Sequence, residues 1–295
     1  MGIYVNSKTA YTLYKSETVK PYFIDKTRML SELFPLVEEG NNYLCITRPR
    51  RFGKTVIANM IASFFSRGRD AEDIFESLQI HQEKDYRKYR NKYVVIHITF
   101  NDLPRKCSSY EQYIDRIEEI LIHDLQKEYP DLLINEQYAI WDILLGIHTE
   151  RQEEKFIFVL DEWDFILHQK FVTEEDKAAY LLFLRNLLKD RPYVSLAYMT
   201  GILPIAKYSS GSELNMFIEY SMASEPKFGD DFGFSEIEVD ALYEKYCCKC
   251  AKSQEKTAVT RNGLRYWYDG YYSKNGEKLY NPRSVVASLT NNNLG

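Results

Sequence analysis

A lysine and a threonine stand where a short apolar run gives way to a helical pattern. Residues 43–47 lead into an arginine-rich turn that ends in Gly53, Lys54 and Thr55. After Thr55, apolar residues recur with the spacing of a helix as far as Phe65. The N–H groups at the start of a helix, with an ammonium and a hydroxyl beside them, are suited to phosphate and Mg²⁺. The stretch predicts a phosphate-binding loop, although Arg48 stands where the usual motif has its first glycine.

Two neighbouring acids end another apolar run. Asp161 and Glu162 follow the sequence FIFVL at 156–160. In a site shared with the loop, Lys54 would lie between the β- and γ-phosphates and Thr55 would ligate Mg²⁺. Asp161 would then hold the metal through water, and Glu162 would orient or deprotonate the attacking water. The alternative is a purely structural one. Lys54 and Thr55 would then only begin an exposed helix, and Asp161 and Glu162 would be two solvated acids at the end of a strand.

A third apolar run ends in Thr200, immediately before Gly201. The carboxyl ends of parallel strands line one crevice, so we expect Thr200 to face the same cleft as Lys54 and Asp161. Its hydroxyl could sense the γ-phosphate there as a third catalytic group. A threonine that merely closes a strand before a glycine turn is the alternative.

The roles of several arginines stay open at this stage. Arg48, Arg50 and Arg51 either brace phosphates or carboxylates, or form ion pairs on the loop surface. Arg185 and Arg191 are candidates for an arginine finger, and no assignment between them is made.

Two aromatic segments allow a binding and a structural interpretation. Tyr22 and Phe23 either line an adenine pocket or pack into the core, and core packing is favoured. The segment KDYRKYRNKY at 84–93 interleaves basic and aromatic residues, as in a binder of single-stranded nucleic acid. A solvated, charged approach to the following strand is the favoured interpretation.

The alternation of elements predicts an α/β fold. Helical patterns at 54–65, 110–127 and 174–188 alternate with short apolar runs, and Thr173 is a plausible N-cap for the last. Such alternation indicates a parallel sheet that is covered on both faces. The predicted strands are residues 43–47, 93–100, 156–160, 194–200 and, less clearly, 216–222.

The pattern changes near residue 223. Ser235 and Glu238 form a capping box for a helix to about Cys250, and a second helix is predicted at 258–267. Asn275-Gly276 predicts a hairpin, and Asn281-Pro282 begins a last helix. We therefore predict a core at 1–222 and a helical, winged-helix-like lid at 223–295. The ending TNNNLG, inside the last helix, suggests a truncated sequence.

Composition argues against several classes of protein. A hydrophobic content of 45% with 27% charged residues is typical of a soluble globular protein. A net charge of −5 does not suit a general nucleic-acid coat, so we expect nucleic acid to be an indirect partner if it is one at all. No apolar run has the length of a membrane span, and the start lacks the apolar core of a signal peptide. The five cysteines have no disulfide-framework spacing, which favours a cytoplasmic location.

Several of these motifs together resemble the AAA-ATPase-like family. These are predicted prokaryotic P-loop ATPases, often fused to a C-terminal nuclease-like domain of the PD-(D/E)XK type. The resemblance covers about residues 22–289, and the arginine-rich loop without its first glycine is the family's own form. It is carried by RPRRFGKT, YFIDKT at 22–27, LDEWD, MTGI after Met199, and the late WYDGYY and YNP.

The resemblance implies a fold, a pair of cofactors and a set of site residues. The fold is the three-layer α/β/α P-loop NTPase of the additional-strand, catalytic-glutamate class, and the cofactors are ATP and Mg²⁺. Thr55 and Asp161 would be the metal residues and Glu162 the water-orienting residue. The nucleotide-contacting stretch would be Arg50, Arg51, Phe52, Gly53, Lys54, Thr55 and Val56. Two departures stand out: Trp163 replaces a tyrosine usual in the family, and nothing resembles the nuclease-like domain.

The function expected from these residues is ATP binding and Mg²⁺-dependent hydrolysis, coupled to movement of the lid or of a partner domain. One alternative is a switch or scaffold that turns ATP over slowly. Another is a small-molecule or nucleoside kinase, which usually lacks the second acid beside the metal aspartate. A nuclease-like domain, a partner protein and oligomeric assembly are all compatible with the sequence.

Overall fold

Five parallel strands form the centre of the protein. The computed structural model describes residues 2–208, 213–222, 227–273 and 276–294. The strands run in the order β2-β3-β4-β1-β5, and every neighbouring pair is parallel. Because β4 lies between β1 and β3, the predicted additional-strand arrangement is confirmed. The strands are β1 Asn42–Thr47, β2 Val94–Thr99, β3 Phe156–Asp161, β4 Val194–Gly201 and β5 Ile218–Tyr220.

Alternate side chains of the strands enter two separate cores. On β1, Tyr43 and Cys45 belong to one apolar cluster, whereas Leu44 and Ile46 belong to the other. This is the result of strand geometry, which points successive side chains to opposite faces. The sheet is therefore buried on both faces, as the continuous apolar runs predict.

Helices cover each face and complete three layers. The first face carries α1 Lys8–Thr18, α2 Met29–Glu39, α3 Lys54–Phe65, α4 Glu72–Phe75 and α5 Tyr86–Tyr89. The second face carries α6 Tyr110–Glu128, α7 Ile140–Glu150 and α8 Glu174–Leu188. The predicted α/β/α fold is confirmed. The bounds predicted for α3 and α8 match the structure, and Thr173 caps α8 by accepting a bond from the Asp176 N–H.

Two helices, a hairpin and a helix follow the sheet. They are α9 Glu236–Ser253, α10 Arg261–Tyr268, the antiparallel pair β6 Tyr271–Tyr272 and β7 Lys278–Leu279, and α11 Pro282–Asn291. The Ser235 capping box and the Asn281 cap are present, while Asn275 of the predicted turn lies outside the described residues. The predicted boundary between 222 and 223 stays a prediction, because residues 223–226 are not described.

The segment after α1 joins the two parts of the chain. Tyr22 packs into the apolar cluster of the C-terminal helices, and its hydroxyl donates to Leu289 O at 3.4 Å. The Lys26 ammonium lies 2.5 Å from Glu238 Oε1. The C-terminal helices, the part of the chain predicted to form the lid, therefore pack on this N-terminal segment.

The basic and aromatic segment at 84–93 approaches β2 as a charged surface. Tyr86 and Tyr89 are buried in the core, so these rings are not available to stack on bases. Lys88 is paired with Glu38 at 2.8 Å. The nucleic-acid interpretation of this segment is wrong for that reason. Within the described ranges, the helices are all too short or too polar to cross a bilayer.

Candidate nucleotide-binding site

The loop between β1 and α3 turns through two residues in left-handed backbone conformations. Arg51 has a φ of 71° and Gly53, at the N-terminus of α3, has a φ of 89°. A Cβ on Gly53 would meet no atom within 4 Å, so glycine is favoured there by backbone conformation and not by lack of space. The first N–H groups of α3 have no partner within the helix, and they begin at this turn.

The ammonium of Lys54 lies inside the curve of this loop. The residue is buried, and its Nζ donates to Arg48 O at 2.9 Å and to Pro49 O at 3.0 Å. Burial lowers the pKa of Lys54, and the charges of Asp161, Glu162 and Asp164 oppose that shift. The loop and the acids after β3 are therefore close enough to interact electrostatically, as the strand-end argument predicts.

Thr200 holds the end of β3 in place. Its Oγ1 donates to Asp161 Oδ1 at 2.5 Å and accepts a hydrogen bond from the Glu162 N–H at 3.2 Å. Thr200 is fully buried and does not line the cavity described below. Our expectation that this hydroxyl faces the phosphates is corrected: both of its contacts are to the acidic pair, so Thr200 is a positioning residue.

Asp161 has one buried oxygen to spare. Its Oδ2 has no hydrogen-bond partner among the described residues. Burial raises the pKa of Asp161, while the hydroxyls of Thr200 and Thr55 and the Lys54 ammonium hold it down. A buried carboxylate oxygen without a partner is costly unless a cation or a water meets it.

Glu162 points to solvent-accessible space from an unusual backbone position. Its φ is 55°, a left-handed conformation that non-glycine residues adopt infrequently. Its Oε2 accepts a hydrogen bond from Asn101 Nδ2 at 2.8 Å. Sequence reasoning missed Asn101, although the residue follows β2 closely and so lies at the same carboxyl edge of the sheet.

The turn after Glu162 is fixed by buried contacts. Asp164 Oδ2 accepts hydrogen bonds from the N–H groups of Ile202 at 3.0 Å and Leu203 at 3.3 Å. Trp163 is fully buried, and a Cβ on Gly201 would lie 2.5 Å from its Nε1. The Trp163 indole therefore packs directly over Gly201.

A cavity of about 800 Å³ opens beside the loop. All seven residues of the predicted nucleotide-contacting stretch line it, together with Glu162. The segment after α1 forms another wall through Tyr22, Phe23 and Ile24. Helix α11 also contributes to the cavity wall, through Pro282, Arg283, Val286 and Ala287. Tyr22 packs into the apolar cluster of the C-terminal helices, as the favoured interpretation predicts, and it also lines the cavity; its contact with adenine stays a prediction.

Several charged residues of this cavity were missed by sequence reasoning, among them Arg283 and Asp231. Arg283 lies in the first turn of α11, and its side chain is exposed on the cavity wall. Asp231 lies on the segment that leads into the lid, where burial and the nearby Glu32 raise its pKa to about 7 against the opposing charges of Lys26 and Arg48. Both residues are remote from the loop in sequence, and no local signal places them there.

Arg48 is buried and donates to backbone carbonyl groups, so it is not the surface ion-pairing residue that one of the two interpretations predicts. The side chain is 1% exposed, and its Nη1 donates to Thr47 O at 2.9 Å and to Tyr220 O at 2.6 Å. Its Nη2 donates to Phe228 O at 3.2 Å, and the guanidinium lies 5.0 Å from the centre of the Phe232 ring. In place of a flexible glycine, Arg48 ties the loop to β5 and to the segment that enters the lid.

Arg185 and Arg191 lie near the opposite edge of the sheet. Both precede the start of β4 at Val194, whereas the acids and the loop lie at the carboxyl ends of the strands. A strand of this length spans about 25 Å. Neither arginine therefore reaches the cavity of its own chain.

The order of the strands and the loop between β1 and α3 define the fold as that of a P-loop ATPase. A family model described as Predicted AAA-ATPase matches residues 14–210, which is more than half of the chain, and the chain belongs to that family. It is 27% identical over 270 residues to an uncharacterized protein in the vnfD 5′ region of Azotobacter chroococcum mcd 1. That similarity covers 90% of this chain and 48% of the relative, so the chain spans about half the length of the relative.

Two solved structures are similar at low identity. The Walker-type ATPase PaBY2304 of Pyrococcus abyssi has a TM-score of 0.45 and 13% identity, over 92% of this chain and 68% of that one. The Aeropyrum pernix ORC2 protein, in ADPNP and ADP complexes, has a TM-score of 0.42 and 11% identity, over 90% of this chain and 60% of that one.

Proposed function

We propose that this chain binds ATP with Mg²⁺ in the cavity and hydrolyses it, and that hydrolysis moves the C-terminal lid. The observation that carries the proposal is the meeting of the loop, with its Lys54 and Thr55, and the Asp161-Glu162 pair at one edge of the sheet, beside that cavity. An ammonium, a hydroxyl and two carboxylates in this order are the groups that phosphoryl transfer to water requires.

The residues present fit a Mg²⁺ ion. The buried Asp161 Oδ2 lacks a partner among the described residues, and the Thr55 hydroxyl acts on the same carboxyl group. Mg²⁺ is usually held by one or two protein oxygens together with phosphates and waters, so a larger cluster of acids is not needed. Thr55 and Asp161 would hold the ion, which when bound neutralises charge on the β- and γ-phosphates.

Each of the chain's own groups would have a separate role in binding the nucleotide or in its hydrolysis. Lys54 would turn from the carbonyl oxygens of its loop to the phosphates, which accept more strongly charged hydrogen bonds. The first N–H groups of α3 would bind phosphate oxygens with the help of the helix dipole. Glu162 would accept the proton of, or orient, the attacking water, while Thr200 fixes its backbone.

The nucleoside would lie between the N-terminal segment and the lid. Tyr22, Phe23 and Ile24 line the cavity together with Val286 and Ala287, which offers apolar and aromatic surface to a planar base. Because the phosphate loop follows β1 and another part of the cavity wall belongs to α11, a nucleotide in the cavity would contact both the sheet-bound part of the chain and the lid.

Replacing Glu162 with glutamine tests hydrolysis separately from binding. We expect Glu162→Gln to bind ATP within about threefold of the wild type and to lose phosphate release by at least about a hundredfold. The assay is phosphate release from Mg·ATP with no other acceptor, followed by calorimetric titration with ATP. Undiminished release by the variant would disprove the role of Glu162, and wild-type turnover that needs an added acceptor would favour a kinase.

A slow-turnover switch is the second candidate, and one hydrogen bond favours it. Asn101 occupies the Oε2 of Glu162, so in this conformation the carboxylate is partly engaged. If the bond restrains hydrolysis, Asn101→Ala should raise the rate of phosphate release about three- to tenfold, which corresponds to about 1 kcal/mol, the net worth of a typical hydrogen bond. Asn101→Asp is the matched comparison, since it replaces the donor with a second carboxylate. A fall in rate with Asn101→Ala would show instead that the bond positions Glu162 for catalysis.

A further inference from the structure

We propose that Phe52 is the contact through which phosphate binding acts on the β6–β7 hairpin of the lid. This inference rests on the proposed ATP binding and names a route for its regulation. Phe52 belongs to the phosphate loop, yet its ring is 1% exposed and packs outward from the sheet against the lid. Its ring centre lies 4.6 Å from that of Tyr271 on β6, with the planes at 75°.

The lid is shaped to receive this ring. A Cβ on Gly233 would lie 3.1 Å from Phe52 Cε1 and 3.3 Å from Cδ1, so any larger residue would press on the ring. Gly233 also has a φ of 87°, which favours glycine there on backbone grounds. Phe52 thus lies between the segment that enters the lid and the first strand of the hairpin.

A second bond joins the same loop to the lid. Asn281, which caps α11 through the Ser284 N–H, donates from its Nδ2 to Arg50 O at 3.2 Å. Arg50 and Phe52 flank Arg51, whose left-handed φ of 71° is costly for a residue with a side chain. A loop held in such a conformation by its contacts is sensitive to any ligand that takes hold of its N–H groups.

The hairpin has properties that make it a responsive element. Each of its strands has two residues, and isolated pairs of this size are marginal in water. Of residues 271–273 and 276–280, which are the part of this stretch that the structure describes, none lines the cavity. We therefore expect a nucleotide in the cavity to act on these residues through their neighbours, and Phe52 is a neighbour that belongs to the phosphate loop.

The lid is also attached through the N-terminal segment, so we expect loss of the ring contact alone not to detach it. The Tyr22 hydroxyl bond to Leu289 O and the Lys26–Glu238 ion pair hold the lid independently of the ring contact. Tyr271→Ala removes the lid's half of the ring pair and leaves the sequence of the phosphate loop intact. Tyr272→Ala is the matched control, since that side chain is the next on the strand and is 57% exposed.

The experiment compares backbone amide exchange of the hairpin, by mass spectrometry, with and without a non-hydrolysable ATP analogue and Mg²⁺. In the wild type and in Tyr272→Ala we expect the analogue to slow exchange at residues 271–280 by at least about threefold. In Tyr271→Ala we expect exchange without nucleotide to be about two- to tenfold faster, the worth of one aromatic pair. The analogue should still bind this variant, but its effect on the hairpin should fall below half of the wild-type effect.

Three results distinguish the inference from the function on which it rests. A full nucleotide response of the hairpin in Tyr271→Ala overturns the route through Phe52. Binding by the wild type with no response of the hairpin overturns it as well, and leaves ATP binding intact. Absence of binding to the wild type refutes the proposed function itself. Phe52→Leu provides a second perturbation, from the loop side, if Tyr271→Ala does not fold, and it should reduce the hairpin response in the same way.

Discussion

Thr200→Val removes one hydroxyl and keeps the shape of the side chain. In the structure that hydroxyl donates to Asp161 Oδ1 at 2.5 Å and accepts from the Glu162 N–H at 3.2 Å. Because Asp161 Oδ2 already lacks a partner among the described residues, the variant would deprive the carboxyl group of a main contact on its other oxygen as well. The site is buried, so no bulk water compensates for the loss.

The expected cost follows from the charge of the acceptor. A hydrogen bond to an ionised group is worth about 1.5–3 kcal/mol, and the Glu162 N–H loses an acceptor worth about 1 kcal/mol. We therefore expect Thr200→Val to lower the free energy of unfolding by about 2–4 kcal/mol at neutral pH. Burial already raises the pKa of Asp161 and the Thr200 hydroxyl lowers it, so the variant raises that pKa further. The deficit is then complete where Asp161 is ionised in both proteins and shrinks as the pH falls through the variant's pKa.

Urea unfolding at neutral and acidic pH measures this difference, with Thr200→Ser as the control. Serine keeps the hydroxyl and loses a methyl group, at a cost of about 1 kcal/mol that does not depend on pH. Phosphate release should fall at least about tenfold in Thr200→Val and less in Thr200→Ser. Equal destabilisation of the two variants, or a deficit in Thr200→Val that does not change with pH, would refute the positioning role of Thr200.

Three further predictions concern the loop, the cavity wall and the end of β4. Arg48→Met should change the free energy of unfolding by less than about 2 kcal/mol, because the loss of hydrogen bonds from a charged donor is offset by no longer burying a guanidinium whose pKa burial lowers to about 10. Calorimetry should nevertheless show ATP affinity falling at least about tenfold, and unchanged affinity would exclude Arg48 as the tether of the loop. Asp231→Asn should stabilise the protein by about 4 kcal/mol at pH 8.5 and by about half as much at pH 5.5. The pKa of Asp231 is raised to about 7 in the folded protein, so the cost of this acid grows with pH between its ordinary pKa and that value and is constant above it. A gain in urea unfolding that is equal at both pH values would contradict this. Gly201→Ala should destabilise the protein by about 1–3 kcal/mol through its clash with Trp163. The control is Gly146→Ala in helix α7, where a Cβ meets nothing within 4 Å, and this variant should stabilise the protein by up to about 1 kcal/mol. Similar melting temperatures for the two variants would count against the packing of Trp163 over Gly201.

Local pattern was sufficient for the elements that carry the loop. The bounds of α3 and α8 could be predicted because apolar periodicity, a glycine or a threonine at the start, and a clear end coincide there. Helix α7 was missed, although Ile140, Ile143, Leu144 and Ile147 have helical spacing and are buried. Helices α1 and α2 were missed because tyrosines in the first and Pro35 in the second obscure the pattern.

Part of the candidate site could likewise be predicted from local sequence, and part of it could not. That Lys54 and Asp161 would meet could be predicted, because parallel strands bring their carboxyl ends to one edge of the sheet. The burial of Arg48 could not, since it depends on carbonyl groups of Tyr220 and Phe228, which are remote in sequence. The same holds for Arg283, which reaches the cavity only because the lid folds back over the loop.

Calorimetric titration of the wild type and of Lys54→Ala with Mg·ATP tests the central claim most directly. The account predicts saturable binding to the wild type with one site per chain and at least about a hundredfold weaker binding to the variant, because the ammonium is the charged donor inside the loop. The variant should fold as well as the wild type, since burial lowers the pKa of Lys54 and its charge is costly to bury. Equal binding by a folded Lys54→Ala protein, or no binding by the wild type, would contradict the account.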